Sequence, residues 1–375
     1  MAFNTRGVLS LLGRYSKAEA EFNTPFTALS TLRSPTSIRT DRIISFLLLH
    51  FRGRINIGTA ALTALTVDPF RNLIQEIRVS GTHTTFGSAV PFRIRAKTQN
   101  DINKIYGINY APRDKVVVAG VATPFDGTVK KWDVDIFWQV PLFPTPTPLQ
   151  IAPLYSLKGP DWAGNLFVEF DTADGTVLGT FGAGTTVAFT AFGVDTGSPT
   201  VFVDVIRPLV TVDLMNKVSP AIPYRSYRSL DTVMQGASFT LGKIGDLNIG
   251  KKFVSFHLAT GALQAGVSAG TRAYASMSDA MITRVVASLD GKFLALPSSS
   301  IQQQESDSLM GGQTLQTGYN VYNFCRETGN PDTAFPAETL TAARRFEVDG
   351  DVTAAASQGA ELVQDELLGS PLAQL

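Results

Sequence analysis

Ser268 stands in Gly266-Val-Ser-Ala-Gly270, the Gly-x-Ser-x-Gly spacing of a nucleophile elbow. Such an elbow exposes its serine on a sharp strand-to-helix turn and takes a base from a histidine further along the chain. All three histidines, His50, His83 and His257, precede Ser268, and its neighbours are the Gly, Ala and Thr of a loop. Ser268 is therefore read as a loop residue. Gly179-Thr-Phe-Gly-Ala-Gly184 has the glycines of a dinucleotide loop without the full spacing or a following helix, and is read as an inter-strand loop. Asp133 and Asp135 share one face of a predicted strand, as a general acid/base pair would. The plainer reading, preferred here, is a solvent-facing pair.

Asp171, Asp174, Asp349 and Asp351 sit near glycines, where turn formation accounts for them without calcium. The histidines have no metal-ligand spacing. Tyr224-Arg-Ser-Tyr-Arg228 interleaves aromatic and basic residues, as a base-stacking site does, but it is one short cluster in a chain with 32 basic and 32 acidic residues. A linker packed between domains or subunits is the preferred reading. No catalytic, cofactor-binding or metal-binding residue is assigned, and no specific nucleic acid is expected as a partner.

The elements that carry these residues read as β. Strands are predicted at 42–51, 72–80, 91–97, 115–121, 132–140, 165–171, 186–193 and 200–213, then at 237–242, 252–259, 281–288, 292–296, 318–325 and 340–348. Short helices are predicted at 100–106 and 301–310, and the tail at 358–368 reads as an acidic helix with Leu362, Val363, Glu366 and Leu367. Near the start, Val8, Leu11, Leu12 and Tyr15 form one apolar helical stripe, with Arg6, Arg14 and Lys17 around it. A Ser/Thr/Pro-rich run over 23–40 reads as extended linker.

At 375 residues the chain is long enough for two cores. Charged residues make up 17%, below the roughly 25% of an average domain, which suits a surface covered by other subunits. A single cysteine, Cys325, excludes an intrachain disulfide framework and fits a reducing compartment. The uncharged stretch at 136–157 holds five prolines, Pro141, Pro144, Pro146, Pro148 and Pro153, and so is not a membrane helix.

The chain also repeats itself. Phe46 falls on Phe256, Ile74 on Ile282, and the strand from Trp132 to Phe137 on that from Tyr319 to Phe324, in the same order. A β-unit repeated once at half length implies two tandem sandwiches.

With an amphipathic arm, a full sandwich, a Pro-rich linker and a shortened copy, the chain resembles the double-jelly-roll major capsid proteins of tailless icosahedral viruses that carry an internal membrane. The resemblance implies an all-β fold of two jelly rolls: arm 1–40, first jelly roll 41–216, linker 217–236, second and shorter jelly roll 237–353, tail 354–375. It implies a structural subunit without enzymatic activity, forming homotrimers that pack as pseudo-hexamers beside neighbouring capsomers, penton and minor capsid proteins. Its place would be the virion, after assembly in the host cytoplasm. The arm residues Arg6, Val8, Leu11, Leu12, Arg14, Tyr15 and Lys17 would meet either the internal membrane or a neighbouring subunit, including the acidic tail with Glu361, Asp365 and Glu366. The alternatives are a two-domain β-sandwich binding protein (fibre, adhesin or carbohydrate-binding module) and a two-sandwich hydrolase using paired carboxylates.

Overall fold

The structure, a computed structural model, describes residues 13–58, 62–85, 87–108, 115–118, 121–122, 131–145, 147–218, 224–234, 238–247, 251–289, 292–293, 298–299, 315–323, 344–352 and 358–368. Eight principal strands form in the first half, most of them with alternating apolar residues: β1 (Glu19–Pro25), β2 (Thr31–Arg33), β3 (Phe46–Ile57), β4 (Ile74–His83), β5 (Gly87–Ile94), β6 (Lys131–Pro141), β7 (Phe167–Thr172) and β8 (Thr200–Ile206). Eight follow in the second: β9 (Tyr224–Met234), β10 (Ser238–Leu247), β11 (Lys251–Leu263), β12 (Ile282–Leu289), β13 (Lys292–Phe293), β14 (Tyr319–Asn323), β15 (Arg344–Val352) and β16 (Gln358–Leu368).

The first eight pair antiparallel in two sheets, β1-β8-β3-β6 and β2-β7-β4-β5. The second eight pair as β9-β16-β11-β14 and β10-β15-β12-β13. Adding eight to each strand of the first unit gives the second. This is the jelly-roll arrangement, two facing four-stranded sheets, made twice. One sheet of each unit joins the other through a short parallel contact, Tyr227 opposite Phe92 and Arg228 opposite Arg93.

The first core lies between its two sheets. Leu47, Leu49, Phe51 and Ile55 of β3 meet Trp132, Val134, Ile136 and Trp138 of β6 on one side, and Ile77, Val79, Phe92, Val168 and Phe170 on the other. Each such side chain contributes about 1.5–3 kcal/mol on burial. Two helices complete the described core elements, α1 (Ala96–Ile105) and α2 (Val212–Val218).

All three sequence matches fall on corresponding strands: Phe46 and Phe256 on β3 and β11, Ile74 and Ile282 on β4 and β12, Trp132 and Tyr319 on β6 and β14. They do not share one register. Phe46 faces Pro141, whereas Phe256 faces Tyr322, which the Trp132–Tyr319 match equates with Asp135. The duplication is one of topology, with strand register free to drift.

Several expectations are corrected. Residues 19–25 and 31–33, read as arm and linker, are β1 and β2: β1 zips onto β8 from Glu19 opposite Val205 to Pro25 opposite Thr200. The stretch 224–234, read as linker, is β9, fully paired with β16. The tail 358–368 is a strand, held between β9 and β11. The second unit lacks no counterpart strand. Asp349 and Asp351 lie inside β15, opposite Thr240 and Ser238, and not in a turn. β8, predicted to run to 213, ends at Ile206, and alternates buried Val201, Val203 and Val205 with half-buried Phe202 and Asp204. The helix predicted at 301–310, Phe324 and Cys325 lie outside the described residues.

Candidate assembly site

Of the arm residues, Arg6, Val8, Leu11 and Leu12 lie outside the described residues. Arg14 and Lys17 are exposed, and Tyr15 is half-buried. The segment 13–18 runs against the end of β8: Ser16 N donates to Arg207 O at 2.7 Å and Leu209 N donates to Arg14 O at 2.9 Å. Tyr15 anchors it, with its hydroxyl donating to Leu149 O at 2.7 Å and its ring edge-on to Phe46 at 5.7 Å. Just beyond, the buried Arg207 guanidinium reaches Glu19 at 3.0 Å and Glu21 at 3.3 Å, so β1 is clamped where it enters the sheet. The same apolar cluster around Phe46 takes in Val254 and Leu367 from the second unit. Both ends of the described chain therefore leave from one end of the molecule.

A second feature, missed in the sequence, fixes the two jelly rolls to each other. The α1 residues are mostly polar, yet Lys97, Thr98, Gln99, Asn100, Asp101 and Asn103 are all buried. The helix follows β5 and lies in the seam against β14 and β16. Asp101 takes Lys97 Nζ at 2.9 Å and Lys104 Nζ at 3.3 Å, and accepts from the Tyr319 hydroxyl at 2.9 Å. Thr98 Oγ1 donates to Glu361 Oε2 at 2.6 Å. Burial pushes the Asp101 carboxyl up, but Lys97, Lys104 and Tyr319 outweigh it and hold it below the usual carboxylate range. Burial, with Asp101 and Glu361 adding to it, raises the Tyr319 phenol far above its ordinary value.

Tyr106 and His257 close the seam further along, hydroxyl to Nε2 at 2.9 Å, and Thr145 N donates to the buried Asp365 at 3.0 Å. The acidic tail residues Glu361, Asp365 and Glu366 are thus buried within β16, which corrects the expectation that they could reach the arm.

The residues that suggested chemistry are held structurally. The Ser268 hydroxyl donates to Asp174 Oδ2 at 2.6 Å, and its amide donates to Thr176 Oγ1 at 3.1 Å, so the loop after β11 is stapled to the loop after β7. The histidines are engaged elsewhere: His50 with Asp135 at 2.5 Å, His83 edge-on to Trp162, His257 with Tyr106. Asp133 is buried, not solvent-facing as expected: Arg54 grips both its oxygens at 2.7 and 2.9 Å and Gly193 N donates at 2.9 Å. The Arg54 hydrogen bonds hold that carboxyl low. Asp135 is half-buried between His50 and Arg52. Among the described residues, no group of three or more His, Cys, Asp or Glu side chains is placed to hold a metal, and no helix is long and apolar enough to cross a membrane.

These sheets and the seam between them define a double jelly roll, the fold of viral major capsid proteins. No protein-family model matches the chain, and no curated protein matches it in sequence. Solved structures match over nearly its whole length. The major capsid protein of bacteriophage PM2 shares 9% identity, with 95% of this chain and 98% of that chain covered and a TM-score of 0.53. The major capsid protein of Sulfolobus Turreted Icosahedral Virus shares 13%, covering 96% and 99% with a TM-score of 0.56. The Faustovirus major capsid protein shares 9%, covering 95% and 89% with a TM-score of 0.57. At such identities the likeness is one of fold.

Proposed function

We propose that this chain is a major capsid protein, the repeating subunit of an icosahedral viral shell. One observation carries the reading: the eight-strand topology occurs twice in one chain, strand for strand. Two like sandwiches per chain give a trimer six similar lobes, so a three-fold object can occupy a six-fold lattice position. That packing requires the two lobes to keep one mutual orientation, which the buried α1 seam supplies. Full-length likeness to capsid proteins of three viruses supports the same reading over a binding module or a hydrolase.

Neighbouring capsomers, penton and minor capsid proteins are the partners in this reading, and the virion is the location. The single cysteine suits assembly in a reducing host cytoplasm. The arm that begins ahead of Tyr15 leaves from the same end as the C-terminal strand, and reaches either an internal membrane or an adjacent subunit there.

Native mass spectrometry of the purified chain tests the proposal. A trimer is expected, with two-dimensional crystals or shells on concentration. A strict monomer at every concentration would favour a binding module.

A further inference from the structure

The two glycine-bearing stretches that the capsid reading leaves unused come together in space. They flank a pocket of about 520 Å3 between the loop after β7 and the loop after β11, so each jelly roll supplies a wall. That volume lies within the range of small-molecule sites, about 300–1,000 Å3. The lining carries Asp174, Thr176, Thr180, Phe181 and Val187, with Ala265 contributed by the second unit. Among the described residues, the lining contains no lysine, arginine or histidine.

The walls are set in place before any ligand arrives. Ser268 bonds to Asp174 and Thr176, and Gln264 Nε2 donates to Thr180 Oγ1 at 2.9 Å. Asp174 Oδ1 already accepts from the Thr176 amide and hydroxyl. Its Oδ2 accepts one bond, from Ser268, and a carboxylate oxygen has room for a second. The exposed Thr180 hydroxyl accepts from Gln264 and keeps its own hydrogen to donate. Half-buried Phe181 adds an aromatic surface.

We infer that this pocket binds a neutral saccharide. A sugar ring presents hydroxyls that donate to Asp174 and accept from Thr180, and an apolar C–H surface that packs on Phe181 and Val187. With no cation among the described lining residues, none of them is suited to hold a phosphate, sulfate or sialic acid carboxylate. The ionised Asp174 carboxylate would repel all three: burial pushes it up, and the Ser268 and Thr176 hydrogen bonds outweigh this and keep it low.

The pocket sits at the far end of the sheets from both described chain ends. Val187 pairs with Ile57 at one end of β3, whereas Tyr15 and Leu367 gather at Phe46, the other. The use of this site for attachment to a glycan-bearing surface rests on the capsid reading with the arm at an internal membrane, which would turn the chain ends inward and the pocket outward. Saccharide binding by the isolated protein does not.

Saturation-transfer difference NMR tests it, with the methyl glycosides of glucose, galactose, mannose and N-acetylglucosamine, and with sialic acid as the anionic probe. At least one neutral glycoside should give saturable transfer, and sialic acid should give none. Ala265→Trp, which fills an exposed rim position, should abolish the signal without altering the melting curve. Asp174→Asn should weaken binding roughly tenfold, the loss of one charged hydrogen bond. No transfer to any neutral glycoside, or transfer unchanged in Ala265→Trp, would overturn the inference. Oligomeric state, read separately by native mass, reports on the capsid proposal alone.

Discussion

Tyr319 of β14 donates its hydroxyl hydrogen to Asp101 of α1 across the seam between the two jelly rolls, oxygen to oxygen at 2.9 Å. Neither group could be buried alone. The phenol needs an acceptor, and the carboxylate needs its two lysines and this donor to offset desolvation. Tyr319→Phe leaves Asp101 with Lys97 and Lys104 but one bond short, and should destabilise the protein by about 1–3 kcal/mol. Asp101→Ala leaves the buried Lys97 uncompensated and should cost more, about 3–5 kcal/mol. Urea denaturation read by tryptophan fluorescence checks the order. Equal losses in the two variants would mean that Lys97 finds other support.

The seam should also make the protein sensitive to acid. Asp101 has a folded-state pKa below its unfolded value of about 3.9. Its contribution is complete above that value and is lost as pH falls through the folded pKa. His83 acts higher. Burial lowers its pKa despite the nearby Asp161 charge, so the fold holds it neutral while the unfolded chain protonates near 6.5. Its contribution is present above about 6.5 and declines as pH drops below it. Melting temperature should therefore fall gently from about pH 6.5 and more steeply below about pH 4. His83→Gln should flatten the upper part only. A curve unchanged down to pH 3 would contradict both assignments.

Much of this fold could be read from the residues, and the exceptions have physical causes. Strands such as β3 and β6 alternate core and surface residues and declare themselves. The strand β16 does not, because residues 358–367 are all buried, flanked by β9 and β11 and covered by the seam. With no open face, its Leu362, Val363 and Leu367 fit a helical spacing equally well. The edge strand β1 has too few apolar residues to show a period, and its glutamates are explained by an arginine almost two hundred residues away. The helix α1 is predicted only from residue 100, and its mostly polar sequence gives no sign of burial. Its partners on β14 and β16, with Asp68 and Gln139 of the first unit, show why it is buried.

Ser268 should be unreactive. Its hydroxyl donates to the Asp174 carboxylate, whose lowered pKa makes it a poor base, and among the described residues to no imidazole. A fluorophosphonate probe should leave it unlabelled in the purified protein. Ser268→Ala should cost about 1 kcal/mol through the lost staple to Asp174. Labelling at Ser268 that is lost in this variant would show a nucleophile.

The N-terminal segment is the sharpest test of assembly. Deletion of residues 1–22 would remove the first half of β1, including Glu19 and Glu21, and leave Arg207 buried without its carboxylates. Such a protein should fold poorly, for reasons unconnected with assembly. Deletion of residues 1–12 is different, because Tyr15, Ser16 and the clamp on β1 all remain. If the apolar stripe of Val8, Leu11 and Leu12 and the basic Arg6 serve contacts outside the subunit, melting should shift by less than about 2 °C, since no described packing is lost. Trimers should persist and closed shells should fail to form. Flotation with vesicles of anionic and of neutral lipid then separates the two partners open to the arm. Binding of the full chain to anionic vesicles alone, lost on deletion of residues 1–12, would favour a membrane, where apolar burial and basic charge act together. No binding to either, with shell formation still abolished, would favour a neighbouring subunit. Normal shells from the truncated protein would remove the arm from assembly altogether.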